Sequence, residues 1–169
     1  MIRPRILVAG IGNIFLGDDA FGVEVAQRLA RRALPEEVRV VDFGIRSLDL
    51  TYALLDGYEA VILVDALPRG GAPGTLYVLE PERSETGGDV PVQMETHNLD
   101  PVKVLRLAEA MGGKVERLLL VGCEPMRTDD EENIPEGLSD PVRAAVDEAI
   151  RLIESLVTRL LRGETVEAT

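Results

Sequence analysis

Three short stretches of the chain, Ile6-Leu7-Val8-Ala9, Ala60-Val61-Ile62-Leu63-Val64 and Leu118-Leu119-Leu120-Val121, are apolar at every position. Side chains alternate between the two faces of a strand, so a strand built from such a stretch is apolar on both faces. It has to be covered on both, which is the requirement of a central parallel strand with helices packed on either side. Two further runs, at 38–41 and 75–79, bring the expected strands to five. The run at 75–79 follows the one at 60–64 after only a turn segment. That connection is too short for a crossover helix, so these two strands are expected to be antiparallel.

Helical patterns fill the gaps. Phe21, Val25 and Leu29 repeat at four-residue spacing, with Ala26 and Ala33 beside them, and a shorter helix is expected over 47–55. Asp100-Pro101 and Asp140-Pro141 each read as a cap followed by a first-turn proline. Behind the first, Val104, Leu105, Ala108 and Met111 form one stripe that Gly112-Gly113 ends. Behind the second run Val142, Val146, Ala149, Ile153, Leu156 and Leu160, as far as Gly163. The alternation predicts a three-layer α/β/α fold with a mostly parallel sheet, one domain over 1–163, and a frayed tail over 164–169. The segments 80–98 and 124–138 lack a periodic pattern, and long irregular loops in a compact domain are commonly functional or mobile. The acidic run Asp129, Asp130, Glu131 and Glu132 reads as a solvated surface.

The formal net charge of −12 argues against nucleic acid and against an anionic membrane surface as partners. Simple solubility accounts for it, with a basic partner segment as the functional alternative. A single cysteine, Cys123, rules out a disulfide within the chain and points to the cytoplasm. No apolar run is long enough for a signal peptide or a spanning helix.

In open α/β sheets, ligands bind beyond the carboxyl ends of the parallel strands. Past the first expected strand comes Gly10-Ile11-Gly12-Asn13-Ile14-Phe15-Leu16-Gly17-Asp18-Asp19, past the third Asp65, and past the fifth Gly122-Cys123-Glu124-Pro125. The only histidine, His97, closes the first long loop. Gly10-x-Gly12 after a strand suggests a dinucleotide site, and Asp42 could mimic a ribose-binding acid. Phe15, however, stands where the third glycine belongs, and Asp18 and Asp19 place negative charge where a pyrophosphate would bind. The chain has no Gly-x-Ser-x-Gly elbow and no His-Glu-x-x-His motif, and a thiol that follows a buried strand, as Cys123 does, is usually inert. One of Asp18 and Asp19 is expected to cap the following helix, which leaves the other over. Together with Asp65 and His97 the remaining acid would make a mixed N/O set suited to a first-row divalent metal.

Residues 6–22, reading ILVAGIGNIFLGDDAFG, resemble the opening signature of the hydrogenase maturation proteases. Val64-Asp65-Ala66, Thr96-His97 and Gly122-Cys123-Glu124-Pro125 extend the resemblance in order, so that it runs from about residue 5 to residue 155. It implies a phosphorylase/hydrolase-like three-layer fold with a mixed five-stranded sheet. It implies a site of Asp19, Asp65 and His97, both metal-recognising and catalytic, with Asp18 as the cap. It further implies an endopeptidase that removes the C-terminal peptide from the nickel-loaded precursor of a nickel–iron hydrogenase large subunit, the nickel being the precursor's. Either the metal polarises the carbonyl or a water, or Asp19 or Asp65 acts as general base. The one departure from the signature is Ala20, where glycine is frequent. A non-catalytic metal-checking adaptor of the same fold and a nucleotide-binding α/β enzyme are the alternatives.

Overall fold

In the computed structural model, residues 3–81, 101–127 and 132–167 are described. The three wholly apolar stretches lie at the centre of the sheet, inside β1 (Ile6–Ile11), β3 (Tyr58–Ala66) and β5 (Val115–Cys123). With β2 (Val38–Gly44) and β4 (Leu76–Leu79) they form a five-stranded sheet in the order β2-β1-β3-β5-β4. The pairs β1–β2, β1–β3 and β3–β5 are parallel. Helices α1 (Phe21–Leu29), α2 (Ser47–Leu54), α3 (Pro101–Ala110) and α4 (Asp140–Leu161) cover the two faces.

Strand alternation sorts the side chains into two cores. Ile6, Val8, Ile62, Val64, Leu119 and Val121 pack with Phe21, Val25 and Leu29 of α1 and Val146 and Ile153 of α4. Leu7, Ala9, Val61, Leu63, Leu118 and Leu120 pack with Leu50 and Leu54 of α2 and with Val104, Leu105 and Ala108 of α3. Ile62 and Leu119 are completely buried, so truncating either to alanine costs about 2–5 kcal/mol. The three layers and the mixed, mostly parallel sheet are those expected from the sequence.

The antiparallel strand runs in the expected direction but has a different neighbour. β4 pairs with β5, from Leu76 opposite Cys123 to Leu79 opposite Leu120, so that β5 lies between β3 and β4. The connection between β3 and β4 therefore passes over the end of β5 instead of closing a hairpin.

The cap of α4 also differs from the expectation. Ser139, not Asp140, is the N-cap residue, with extended backbone, and Pro141 stands in the first turn. Asp100, expected to cap α3, lies outside the described residues. Part of the tail expected to fray, Thr165 and Val166, contacts the domain. Val166 is buried against the α1/α4 core, Arg117 donates to the Val166 carbonyl at 2.7 Å, and Arg159 donates to the Thr165 carbonyl at 2.7 Å. No helix among the described residues is long and apolar enough to cross a membrane.

The glycines of the opening motif serve packing. A Cβ on Gly10 would sit 2.3 Å from the Gly22 carbonyl oxygen, and one on Gly22 would sit 2.0 Å from that of Val64 and 2.3 Å from that of Ile11. Their absence of side chains lets the start of α1 lie directly on β1 and β3.

Candidate active site

Beyond Ile11 the chain turns back on itself at Gly12, whose φ of +147° suits glycine. A Cβ there would lie 1.9 Å from the Asp19 carbonyl oxygen, so only glycine lets the following turn close against the strand end. The turn is tightly bonded. Asn13 N–H donates to Asp19 Oδ2 at 2.8 Å, Phe15 N–H donates to Asn13 Oδ1 at 2.9 Å, and Leu16 N–H donates to the Asn13 carbonyl at 3.1 Å. A single 3-10 turn, Gly17–Ala20, then leads into α1. Asp19 is thereby buried at the end of β1.

Asp65 is the penultimate residue of β3, the strand beside β1, and its Oδ1 accepts the N–H of Ala66 at 2.8 Å. Burial first, and then the negative charge of Asp19, push the Asp65 carboxyl well above the usual carboxylate range, with the Ala66 N–H opposing them in part. The structure thus brings two of the three expected site residues together as mutually repelling acids at neighbouring strand ends. Hard oxygen donors that repel one another suit a divalent cation, which would relieve the repulsion. The third, His97, lies outside the described residues, among which no group of three or more His, Cys, Asp or Glu side chains could hold a metal.

Asp18 is not the cap of its own turn, which has no side-chain cap at all. Its carboxylate accepts the Ser139 N–H at 2.7 Å, the Ser139 hydroxyl at 2.8 Å and the Met126 N–H at 2.9 Å. Asp18 therefore ties three segments together: the 3-10 turn, the stretch after β5 and the start of α4. It also sets a negative charge at the positive end of the α4 dipole. These segments form the walls of a cleft of about 390 Å³ lined by Leu16, Asp19, Ala66, Pro68, Met126 and Ser139.

Glu124 is a buried carboxylate beside the site that the sequence did not single out. It follows β5, is buried, and accepts the N–H of Arg69 at 2.8 Å, the N–H of Gly71 at 2.8 Å and the Tyr77 hydroxyl at 2.8 Å. Burial alone would raise its carboxyl. The Arg69 N–H, the Tyr77 hydroxyl and the Gly71 N–H outweigh it and hold the group below the usual range. The Tyr77 phenol is raised in turn, by burial and then by Glu124, and Arg69 lies over its ring, 5.4 Å from the centroid. Glu124 is thus a clamp on the connection that leaves Asp65. The available signal was a carboxylate directly after an apolar strand, where burial demands partners.

Two alternatives do not fit this geometry. Cys123 is wholly buried, and burial, followed by the charges of Asp18, Glu124 and Glu148, pushes its thiol up to about 12, so it is no nucleophile near neutral pH. The amides that a phosphate would need are engaged, with Gly12 N–H donating to the Gly44 carbonyl at 3.0 Å and Asn13 N–H to Asp19. Asp42 accepts from the Gln27 side chain at 3.1 Å.

Known proteins carry the same architecture. A family model described as hydrogenase maturation protease matches residues 23–156. The hydrogenase expression/formation protein HupD of Rhodobacter capsulatus is 32% identical, over 96% of this chain and 77% of its own length. The hydrogenase 2 maturation protease of Escherichia coli is 31% identical, over 97% of this chain and 94% of its own. Among solved structures, the hydrogenase maturating endopeptidase HybD from E. coli superposes with a TM-score of 0.73 at 30% identity, covering 97% of this chain and 96% of that one. The [NiFe] hydrogenase maturation protease HycI from Thermococcus kodakarensis gives 0.69 at 28% identity, covering 92% and 94%. Sequence and fold agree along nearly the whole chain, which belongs to the hydrogenase maturation protease family and is a hydrogenase maturation endopeptidase.

Proposed function

We propose that this endopeptidase removes the C-terminal peptide from the large-subunit precursor of a nickel–iron hydrogenase once nickel is in place, and that Asp19, Asp65 and His97 recognise that nickel. The observation that carries the reading is that Asp65 lies buried beside Asp19, so that burial and then the Asp19 charge hold its carboxyl above the usual range. The metal is part of the substrate. Two carboxylates and a neutral imidazole leave coordination positions open, through which a nickel ion already held by the precursor's thiolates can be shared. Binding requires the carboxylates ionised and the imidazole neutral, so protons compete with the metal.

With the thiol of Cys123 sealed in the core, cleavage uses water as the attacking group. The shared metal would polarise the carbonyl or that water, and Asp19 or Asp65, the two carboxylates beside it, would accept the proton. A single buried cysteine suits work in the reducing cytoplasm.

The test is a processing assay with purified enzyme and precursor prepared with and without nickel. Cleavage at one site near the C-terminus of the loaded precursor is expected, with discrimination against the empty form of about a hundredfold, equivalent to about 3 kcal/mol of differential contact. Equal cleavage of the empty precursor or of casein would remove the nickel checkpoint. A non-catalytic adaptor would bind the loaded precursor and leave it whole.

A further inference from the structure

The loop that leaves β1 carries bare apolar side chains on a stiff frame. Ile14 is 56% exposed, Phe15 83% and Leu16 38%. The backbone beneath them is fixed by the Asn13–Asp19, Phe15–Asn13 and Leu16–Asn13 hydrogen bonds, so Phe15 is held outward by a structured turn. The neighbouring strand continues the pattern. Past the end of β2, Ile45 is 66% exposed and Leu48 57%, and the Gly12–Gly44 hydrogen bond makes the two loops leave the sheet side by side. The cation between them is turned back. Arg46 donates to the Phe43 and Asp42 carbonyls and to the Asp49 carboxylate, which leaves Ile45 and Leu48 as outward-facing apolar groups.

This rim is continuous with the catalytic cleft, since Leu16 belongs to both. We infer that the rim, with Phe15 as its anchor, docks an apolar patch on the body of the precursor beside the tail that is cut. The inference rests on the proposal that the precursor is the substrate. The precursor is the macromolecule that has to reach this cleft, whereas a second copy of the chain seated on the rim would obstruct it. An aromatic side chain carried on a backbone already fixed by hydrogen bonds adds little backbone entropy cost on binding and makes the kind of anchor on which interfaces depend. Docking through the rim needs no metal, so it supplies affinity for loaded and empty precursor alike and leaves discrimination to the acids.

Phe15→Ala and Phe15→Glu test the inference, with Leu107→Ala, an exposed apolar residue on α3, as control. Steady-state cleavage of nickel-loaded precursor and titration of metal-free precursor are both measured. We expect KM and Kd to rise about tenfold in Phe15→Ala and about a hundredfold in Phe15→Glu, with kcat at saturation retained and Leu107→Ala unchanged. Unchanged Kd in both Phe15 variants would overturn docking at the rim. A wild-type chain that sediments as a dimer and becomes monomeric in Phe15→Glu would overturn it in favour of self-association. Should wild-type enzyme fail to cut loaded precursor, the substrate reading fails, while the titration still decides whether Phe15 binds the precursor body.

Discussion

Asp18 and Ser139, 121 residues apart in sequence, are joined by two hydrogen bonds, from the Ser139 N–H at 2.7 Å and from its hydroxyl at 2.8 Å. Ser139 is the N-cap residue of α4, so a carboxylate from the far side of the cleft anchors the start of the longest described helix. Asp18→Ala leaves these donors and the Met126 N–H without their acceptor. It is expected to lower the unfolding free energy by about 1.5–3 kcal/mol, the range for a hydrogen bond to a charged group, as measured by urea denaturation. The folded fraction should also lose kcat, because the segments released are cleft walls. Wild-type stability in Asp18→Ala would show that the tie is not structural.

The same pair shows what the sequence can and cannot reveal. The two-faced apolar strands and the helical stripes are local patterns, and they located every described strand and helix apart from the 3-10 turn. Pairing is not local. Nothing in the run at 75–79 indicates that β5 will come between it and β3. Adjacent Asp18 and Asp19 look alike in sequence, and Asp18, expected to cap the helix that follows it, instead holds Ser139 at the start of a helix more than a hundred residues away. The clamp made by Glu124 is legible only once the amides of Arg69 and Gly71 are brought to it by the turn between β3 and β4. Val166 is illegible for a related reason, since a lone valine after a helix-ending glycine has no period to betray it.

Cys123 should be chemically silent. With its thiol pushed up to about 12, almost none is thiolate at pH 8. Native protein is expected to resist iodoacetamide under conditions where urea-unfolded protein is fully labelled, and Cys123→Ala should retain most of its processing activity. Rapid labelling of the native chain, or an inactive but folded Cys123→Ala, would return the thiol to consideration as a nucleophile.

Glu124→Gln keeps the shape and removes the charge. Its amide nitrogen would face donors where the carboxylate accepted them. A cost of about 2–3 kcal/mol is expected at neutral pH. The sign of the pH dependence follows from the lowered carboxyl. Its contribution is present above the ordinary glutamate range and is lost as pH falls through its lower folded value. The gap between wild type and Glu124→Gln should therefore narrow in acid and persist at pH 7.

His97 is the only imidazole in the chain, so no neighbour can replace its nitrogen. His97→Ala should abolish processing of nickel-loaded precursor while the chain still unfolds cooperatively in urea. Binding of Ni²⁺ or Zn²⁺ to the free wild-type chain, followed by calorimetry, should weaken below about pH 6.5, the ordinary imidazole value. Processing at wild-type rate by folded His97→Ala would take the histidine out of the site.

Asp65→Asn separates stability from function most cleanly. Burial and the charge of Asp19 hold the Asp65 carboxyl high, so the fold favours its protonated form. That contribution is fully present below the ordinary aspartate range and is lost as pH rises through the raised folded value. Above that value the metal-free protein holds two repelling carboxylates at the ends of β1 and β3. Asparagine keeps the oxygen that accepts the Ala66 N–H and removes the repelling charge. The variant is therefore expected to be more stable than wild type at pH 7.5, by about 1 kcal/mol, as is common when a functional site gives up its strain. The gain should disappear near pH 3.5, where the wild-type carboxyl is itself neutral. Added Ni²⁺ or Zn²⁺ should raise the melting temperature of wild type, because it binds the folded state, and should leave Asp65→Asn nearly unmoved. Processing should be lost. A variant less stable than wild type at pH 7.5, or one that metal stabilises as strongly, would mean that Asp19 and Asp65 do not oppose each other across a cation site, and nickel recognition would have to lie elsewhere in the cleft.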